Sequence, residues 1–137
     1  MNANLPADAD DDAADQAPVN EAILLVDDDE TVLEFGRIAL SRLDREVLIA
    51  DNGEACLERL RDESSRVSVI VLDMQMPGLS GEDVLREMKQ LGVSCPVLMC
   101  SGYDFTEQQV QALGAAAFLA KPYRMHEFVQ AVTSLLP

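Results

Sequence analysis

At 137 residues the chain has room for one domain with a proper core and not for two. Lys+Arg of 10 against Asp+Glu of 25 gives a net charge of −15, which disfavours a polyanionic partner such as nucleic acid or an anionic membrane. No apolar run approaches the length of a membrane span and the amino terminus lacks the apolar core of a signal peptide, so no membrane insertion and a cytoplasmic address are expected.

Residues 1–20 are rich in Ala, Asp and Pro and carry five aspartates, leaving −10 for residues 21–137. Such a segment has almost nothing to bury and is expected to be a disordered acidic tail or linker, either a tether from a larger parent or a solubilising extension. Residues 21–137 are the expected folded domain. From Glu21 onward the pattern is β then α, five times. Ala22 to Val26 is an aliphatic strand running directly into Asp27-Asp28-Asp29, and Thr31 to Leu43 places Val32, Phe35, Ala39, Leu40 and Leu43 near helical spacing. Glu46 to Ala50 is a short strand, turned by Asp51-Asn52-Gly53 into a helix over Glu54 to Arg61.

The central stretch is Val67 to Gly78, VSVIVLDMQMPG. Six residues of almost unbroken β-branched and aliphatic character, bounded by turn signals, predict a strand buried on both faces, as a parallel sheet requires. It ends in a lone carboxylate, Asp73. A helix follows over Glu82 to Leu91, with Val84, Leu85, Met88 and Leu91 in one stripe and Gly92 as its stop. Pro96 to Met99 is a fourth strand, ending two residues before Ser101. Thr106 with Gln109 resembles a capping box for a short helix stopped by Gly114. Ala117 to Ala120 closes on Lys121-Pro122, and a last helix over about Met125 to Leu136 sets Phe128, Val132 and Leu135 on one side. Strict alternation with short connections implies a parallel sheet covered by helices on both faces. Cys56, Cys95 and Cys100 lack metal-type spacing and read as reduced core thiols.

Four strands thus deliver carboxylates, a hydroxyl and an ammonium to one sheet edge, the edge at which open α/β sheets bind ligands. Asp73 alone is as readily a strand-ending turn residue; the company of the other groups favours a site. Asp27, Asp28 and Asp73 together crowd negative charge, two unit charges 4 Å apart repelling by about 4 kcal/mol at an effective dielectric near 20. A hard divalent cation relieves this, and Mg²⁺ suits a site with few carboxylates that leaves positions for water and phosphate oxygens. With Ser101 and Lys121 placed to stabilise the moving group, the residue types match phosphoryl transfer to Asp73.

VDDDE after the first strand, LDMQMPGLSG after the third, SGYD after the fourth and FLAKPY after the fifth resemble the receiver domain of two-component response regulators, over about residues 21–136. The resemblance implies an α/β, flavodoxin-like (βα)5 fold with five parallel strands in order 2-1-3-4-5. It implies a signalling phosphoacceptor rather than an enzyme with turnover, fed by a histidine kinase or histidine phosphotransfer protein and read by a downstream target. Asp73 is then the acceptor, Asp28 binds Mg²⁺ directly with Asp27 assisting, and Gln75 supplies a backbone carbonyl to the metal. Ser101 bonds one phosphoryl oxygen and Lys121 pairs with another, held by a cis peptide to Pro122. The same likeness implies a switch: Ser101 moves toward the phosphate, Phe118 rotates inward, and the surface of the fourth helix, fifth strand and fifth helix changes. Phe118 lacks the hydroxyl that a Tyr would bring there. Gln75 and Tyr103 would flank the phosphate and tune its lifetime.

Other readings stand beside these. Asp29 and Glu30 favour the first helix's N-terminus through its dipole rather than binding metal, and His126 is a surface or capping residue. Asp27-Asp28-Asp29-Glu30-Thr31 also fits the DxDx[TV] motif of haloacid-dehalogenase-like phosphatases, with Asp27 as nucleophile, although only Glu127 follows Lys121 as a further acid. A receiver-like interaction module that docks without phosphorylation is a second alternative. With no output domain expected after the last helix, the chain reads as a stand-alone regulator or as the receiver module of a hybrid histidine kinase; the acidic tether and the SGYD and FLAKPY wording favour the latter.

Overall fold

Continuous aliphatic runs form strands buried on both faces, and three of them meet here with two less buried strands in one five-stranded parallel sheet. The computed structural model describes residues 22–102 and 106–137. The elements are β1 (Ala22–Val26), α1 (Glu30–Leu40), β2 (Glu46–Ala50), α2 (Gly53–Glu63), β3 (Val67–Asp73), α3 (Gly81–Leu91), β4 (Val97–Ser101), α4 (Glu107–Ala112), β5 (Ala117–Ala120) and α5 (Met125–Leu135). All strand pairs are parallel and the order is β2-β1-β3-β4-β5, the flavodoxin-like order expected.

Side chains alternate along each strand and so build two cores. Ala22, Leu24 and Val26 of β1, with Ile70 and Leu72 of β3 and Val97 and Met99 of β4, pack with Cys56, Leu57 and Leu60 of α2 and Val84, Leu85 and Met88 of α3. Ile23 and Leu25, with Val69, Val71, Leu98 and Cys100, face Leu33, Ala39 and Leu40 of α1 and Phe128 and Val132 of α5. The β1–β3 register slips by one residue at Ser68, and the hydroxyl stranded there donates to the Ala22 carbonyl at 3.1 Å. Phe128 stacks on Tyr123 with ring centroids 5.3 Å apart, and Phe35 of α1 leans on both, tying α1 to the segment that follows β5.

Helix starts follow their caps. Asp29, Asn52, Ser80 and Thr106 each accept a backbone N–H at the N-terminus of α1, α2, α3 and α4, and the expected Thr106–Gln109 capping box is present. Helix ends are less regular. The first helix was expected to reach Leu43, but α1 stops at Leu40 and Ser41–Leu43 tighten into a 3₁₀ turn. The Ser41 hydroxyl takes the Ile38 carbonyl at 2.6 Å, and Asp44 turns the chain away in the left-handed region. α3 ends as expected on Gly92, whose φ of 77° is the conformation glycine adopts without strain. No helix among the described residues is long and apolar enough to cross a membrane.

Candidate functional site

Hydrogen bonds beyond the strand ends carry the sheet geometry into the loops at its carboxyl edge. The Asp27 N–H donates to the Ala50 carbonyl, Met74 to Cys100 and Lys121 to Ser101, at 3.2, 2.9 and 2.7 Å. Adjacent strands therefore hold Asp27, Asp73, Ser101 and Lys121 side by side. The Lys121–Pro122 peptide is cis, as the resemblance implied.

Three of the four groups interact directly. Lys121 Nζ lies 3.0 Å from Asp27 Oδ2 and 3.2 Å from Asp73 Oδ1. Both aspartates are buried, 3% and 5% exposed, while Asp28 is exposed at their rim. Carboxylate oxygens of Asp27, Asp28 and Asp73 all lie within 4.8 Å of one another. The orientation of Asp27 is set by its other oxygen, which accepts the Asp29 N–H at 2.9 Å. Asp29 in turn caps α1 through the Thr31 N–H, as expected of a helix-start acid. Its backbone grip on Asp27 was not foreseen, because motif reading assigns roles to side chains.

One ammonium does not balance three acids. Burial pushes Asp73 up to about 6, the Asp27 charge adds to this, and Lys121 with the Gln75 N–H at 3.4 Å opposes it only in part. Burial by itself would lower Lys121, but its hydrogen bonds to Asp27 and Asp73 and their charges outweigh that and hold it above its ordinary value. The residual negative charge, presented only by hard oxygen donors, is what a small divalent cation neutralises, so the residues present fit Mg²⁺. Cys100, fully buried beside the site, is pushed up to about 12 by burial and is an inert thiol. Cys56 and Cys95 are also free thiols.

Ser101 completes the edge in a different way. It is 1% exposed, and its hydroxyl has no hydrogen-bond partner among the described residues. Buried polar groups are almost always paired, so this one is held in place for something else. Phe118 is half-buried on β5, opposite Met99, against the α2/α3 core. Gln75 is exposed in the loop after β3. His126 is exposed on α5. Tyr103, expected to flank a phosphate, lies outside the described residues, as do residues 1–20.

Residues 23–133 match the family model described as the response regulator receiver domain. The chain belongs to this family. Receiver domains are signalling domains of two-component systems, which is the class the four motifs suggested. The chain is 34% identical over 116 residues to a protein called response regulator MprA from Mycolicibacterium vanbaalenii, covering 83% of this chain and 49% of that one. It is 35% identical over 116 residues to its namesake from Mycobacterium ulcerans, with the same coverage. It spans about half the length of these curated relatives. Among solved structures, a response regulator receiver domain protein from Clostridium thermocellum superposes with a TM-score of 0.76 at 29% identity, over 84% of this chain and 93% of that one. The receiver domain of the Francisella response regulator 1452 gives 0.75 at 26%, over 85% and 96%.

Proposed function

We propose that this receiver domain accepts a phosphoryl group on Asp73 from a phosphohistidine, in the presence of Mg²⁺, and passes the change to a protein target. The observation that carries the proposal is the meeting of Asp27, Asp28 and Asp73 within 4.8 Å, with Lys121 bridging the two buried acids. Asp27, Asp28 and Asp73, with the Gln75 carbonyl, would hold the metal. When bound, Mg²⁺ supplies charge neutralisation for the acids and the incoming phosphoryl oxygens.

The chain's own residues supply the rest. With Asp73 pushed only to about 6, the carboxylate form predominates at neutral pH and is the nucleophile. Its oxygen forms the P–O bond as the donor's P–N bond breaks, and the imidazole departs with the bonding pair, its other nitrogen carrying a proton. Lys121 stands 3.2 Å from the attacking carboxylate, placed to pair with one equatorial oxygen. The unpartnered Ser101 hydroxyl donates to another. Phosphorylation would thereby give a partner to a hydroxyl that has none among the described residues, and Ser101 with Phe118 would relay the change to α4, β5 and α5. Gln75 and Tyr103 would flank the phosphate and set its lifetime.

The partners would be a histidine kinase or histidine phosphotransfer protein on the donor side and a target protein on the output side, in the cytoplasm. The chain would catalyse its own phosphorylation and slow loss of phosphate, nothing further. Intact mass after incubation with acetyl phosphate tests this: the wild type gains one phosphoryl group only with Mg²⁺, and Asp73→Asn gains none. Labelling of Asp73→Asn to the wild-type extent would defeat the proposal.

A further inference from the structure

Two glycines approach the loop between Asp73 and Ser80 more closely than a side chain allows. A β-carbon on Gly81 would lie 2.7 Å from the Asp73 carbonyl oxygen, 2.8 Å from Met74 Cα and 3.2 Å from Met99 Sδ. One on Gly53 would lie 2.8 Å from Leu79 Cβ and 2.9 Å from Val84 Cγ2. Neither glycine has positive φ, unlike Gly78 in the same loop, so backbone conformation does not account for either. What both positions lack is room.

The surroundings of Gly81 have little freedom to yield. Its N–H donates to the Met74 carbonyl at 2.9 Å, and the Met74 N–H donates to the Cys100 carbonyl at 2.9 Å, so the peptide after Asp73 is held between α3 and β4. Ser80 and Asp83 close a reciprocal capping box around the same helix start, at 3.1 and 3.2 Å. The atoms a methyl group would meet are mainly backbone, which has no alternative rotamer. Relief must come from retreat of α3 or displacement of the Asp73–Met74 peptide, and either moves the carboxylate that faces Lys121. At the other end of the loop, Gly53 opens α2 directly against Leu79.

We propose that Gly81 and Gly53 are positioning residues for the phosphoacceptor: their missing side chains let the first turns of α3 and α2 clamp the Asp73-to-Ser80 loop from its two ends. The clamp sets where the Asp73 carboxylate and the Gln75 peptide stand relative to Asp27 and Lys121. This rests on the phosphoacceptor reading of Asp73, and it deepens that reading by naming what holds the acceptor in place.

The test compares wild type, Gly81→Ala, Gly53→Ala and Val132→Ala, the last a truncation buried on the α1/α5 side that lowers stability without touching the loop. Mg²⁺ affinity is measured by titration calorimetry. The rate of acetyl phosphate labelling at saturating Mg²⁺ is measured separately, with both corrected for the folded fraction seen by circular dichroism. Gly81→Ala is expected to weaken Mg²⁺ binding and slow labelling by about tenfold each, the scale of a sub-ångström misplacement of a reacting group. Gly53→Ala, which meets Leu79 Cβ, the Val84 side chain and, less closely, the Leu79 carbonyl oxygen at 3.2 Å, is expected to change both by about threefold. Val132→Ala should lose thermal stability and keep both values. Folded Gly81→Ala and Gly53→Ala with wild-type affinity and rate would overturn the proposal. If Gly81→Ala is recovered unfolded, Gly53→Ala decides by the same two readouts. A wild type that binds Mg²⁺ but never labels would defeat the phosphoacceptor reading instead, and the Mg²⁺ affinities of the two variants would still decide for or against the clamp.

Discussion

The backbone N–H of Lys121 donates to the carbonyl of Ser101 at 2.7 Å, so the two residues expected to face the phosphoryl group are held together through main chain at the carboxyl ends of the paired strands β4 and β5. Lys121 spends its ammonium on Asp27 and Asp73, whereas the Ser101 hydroxyl has no partner among the described residues.

A buried hydroxyl left unsatisfied costs about 1–3 kcal/mol, so Ser101→Ala should not destabilise the protein. A gain of about 1 kcal/mol in urea unfolding is expected. The same variant should still accept a phosphoryl group on Asp73 but lose the conformational response, read as amide shifts in α4 and β5. Destabilisation by Ser101→Ala would mean the hydroxyl already has a structural partner.

Asp73 sets a pH dependence whose sign follows from its shift. In the folded protein it titrates near 6, above its ordinary value of 3.8, so the folded state binds the proton more tightly than the unfolded chain. Its favourable contribution is present below pH 3.8 and is lost as pH rises through about 6. Asp73→Asn should therefore stabilise the metal-free protein at pH 7.5, by at most about 3 kcal/mol, and by little at pH 4. Urea midpoints at the two pH values check this. Mg²⁺ should narrow the gap at pH 7.5 by stabilising the wild type more than the variant, which lacks one of the three carboxylates.

Lys121→Met removes the cation shared by two buried acids. A loss of about 2 kcal/mol is expected at pH 7.5 without metal, below the full figure for a buried pair because the lysine is partly solvated. Adding Mg²⁺, or protonating Asp73 at pH 5, should recover much of it. Equal loss under all three conditions would show that the alkyl stem rather than the charge stabilises the fold.

The aromatic contact between α1 and α5 gives a prediction away from the site. Phe128 is fully buried, stacked on Tyr123 and leaned on by Phe35. Phe128→Ala should lower stability by about 3–5 kcal/mol in chemical denaturation. Mg²⁺ affinity of the folded fraction should change far less.

Much of this arrangement was legible in the residues, for identifiable reasons. β1, β2 and β5 run from the first to the last residue of AILLV, EVLIA and AFLA; β1 is an uninterrupted apolar run buried throughout, while β2 and β5 are less buried strands bounded by polar or turn residues. Asp27, Asp28, Asp73, Ser101 and Lys121 were predicted to share one edge because each ends or follows a strand, and topology alone then brings them together. The end of α1 was misplaced because Leu43 continues the apolar spacing; a serine hydroxyl and a left-handed Asp44 ended the helix first. The close approaches of Gly53 and Gly81 were not visible at all, since a missing β-carbon has meaning only once the neighbouring backbone is known. The unpartnered state of Ser101 is likewise a property of its surroundings.

The central claim is that Asp27, Asp28 and Asp73 share one divalent cation so that Asp73 receives phosphorus, and beryllofluoride, a phosphoryl mimic, tests it most directly. Amide spectra of wild type and Asp73→Asn are recorded with beryllofluoride, with and without Mg²⁺. The wild type should shift at Ser101 and Lys121 only when Mg²⁺ is present, and Asp73→Asn should not shift in either case. An adduct that forms equally well without Mg²⁺, or in Asp73→Asn, would contradict it.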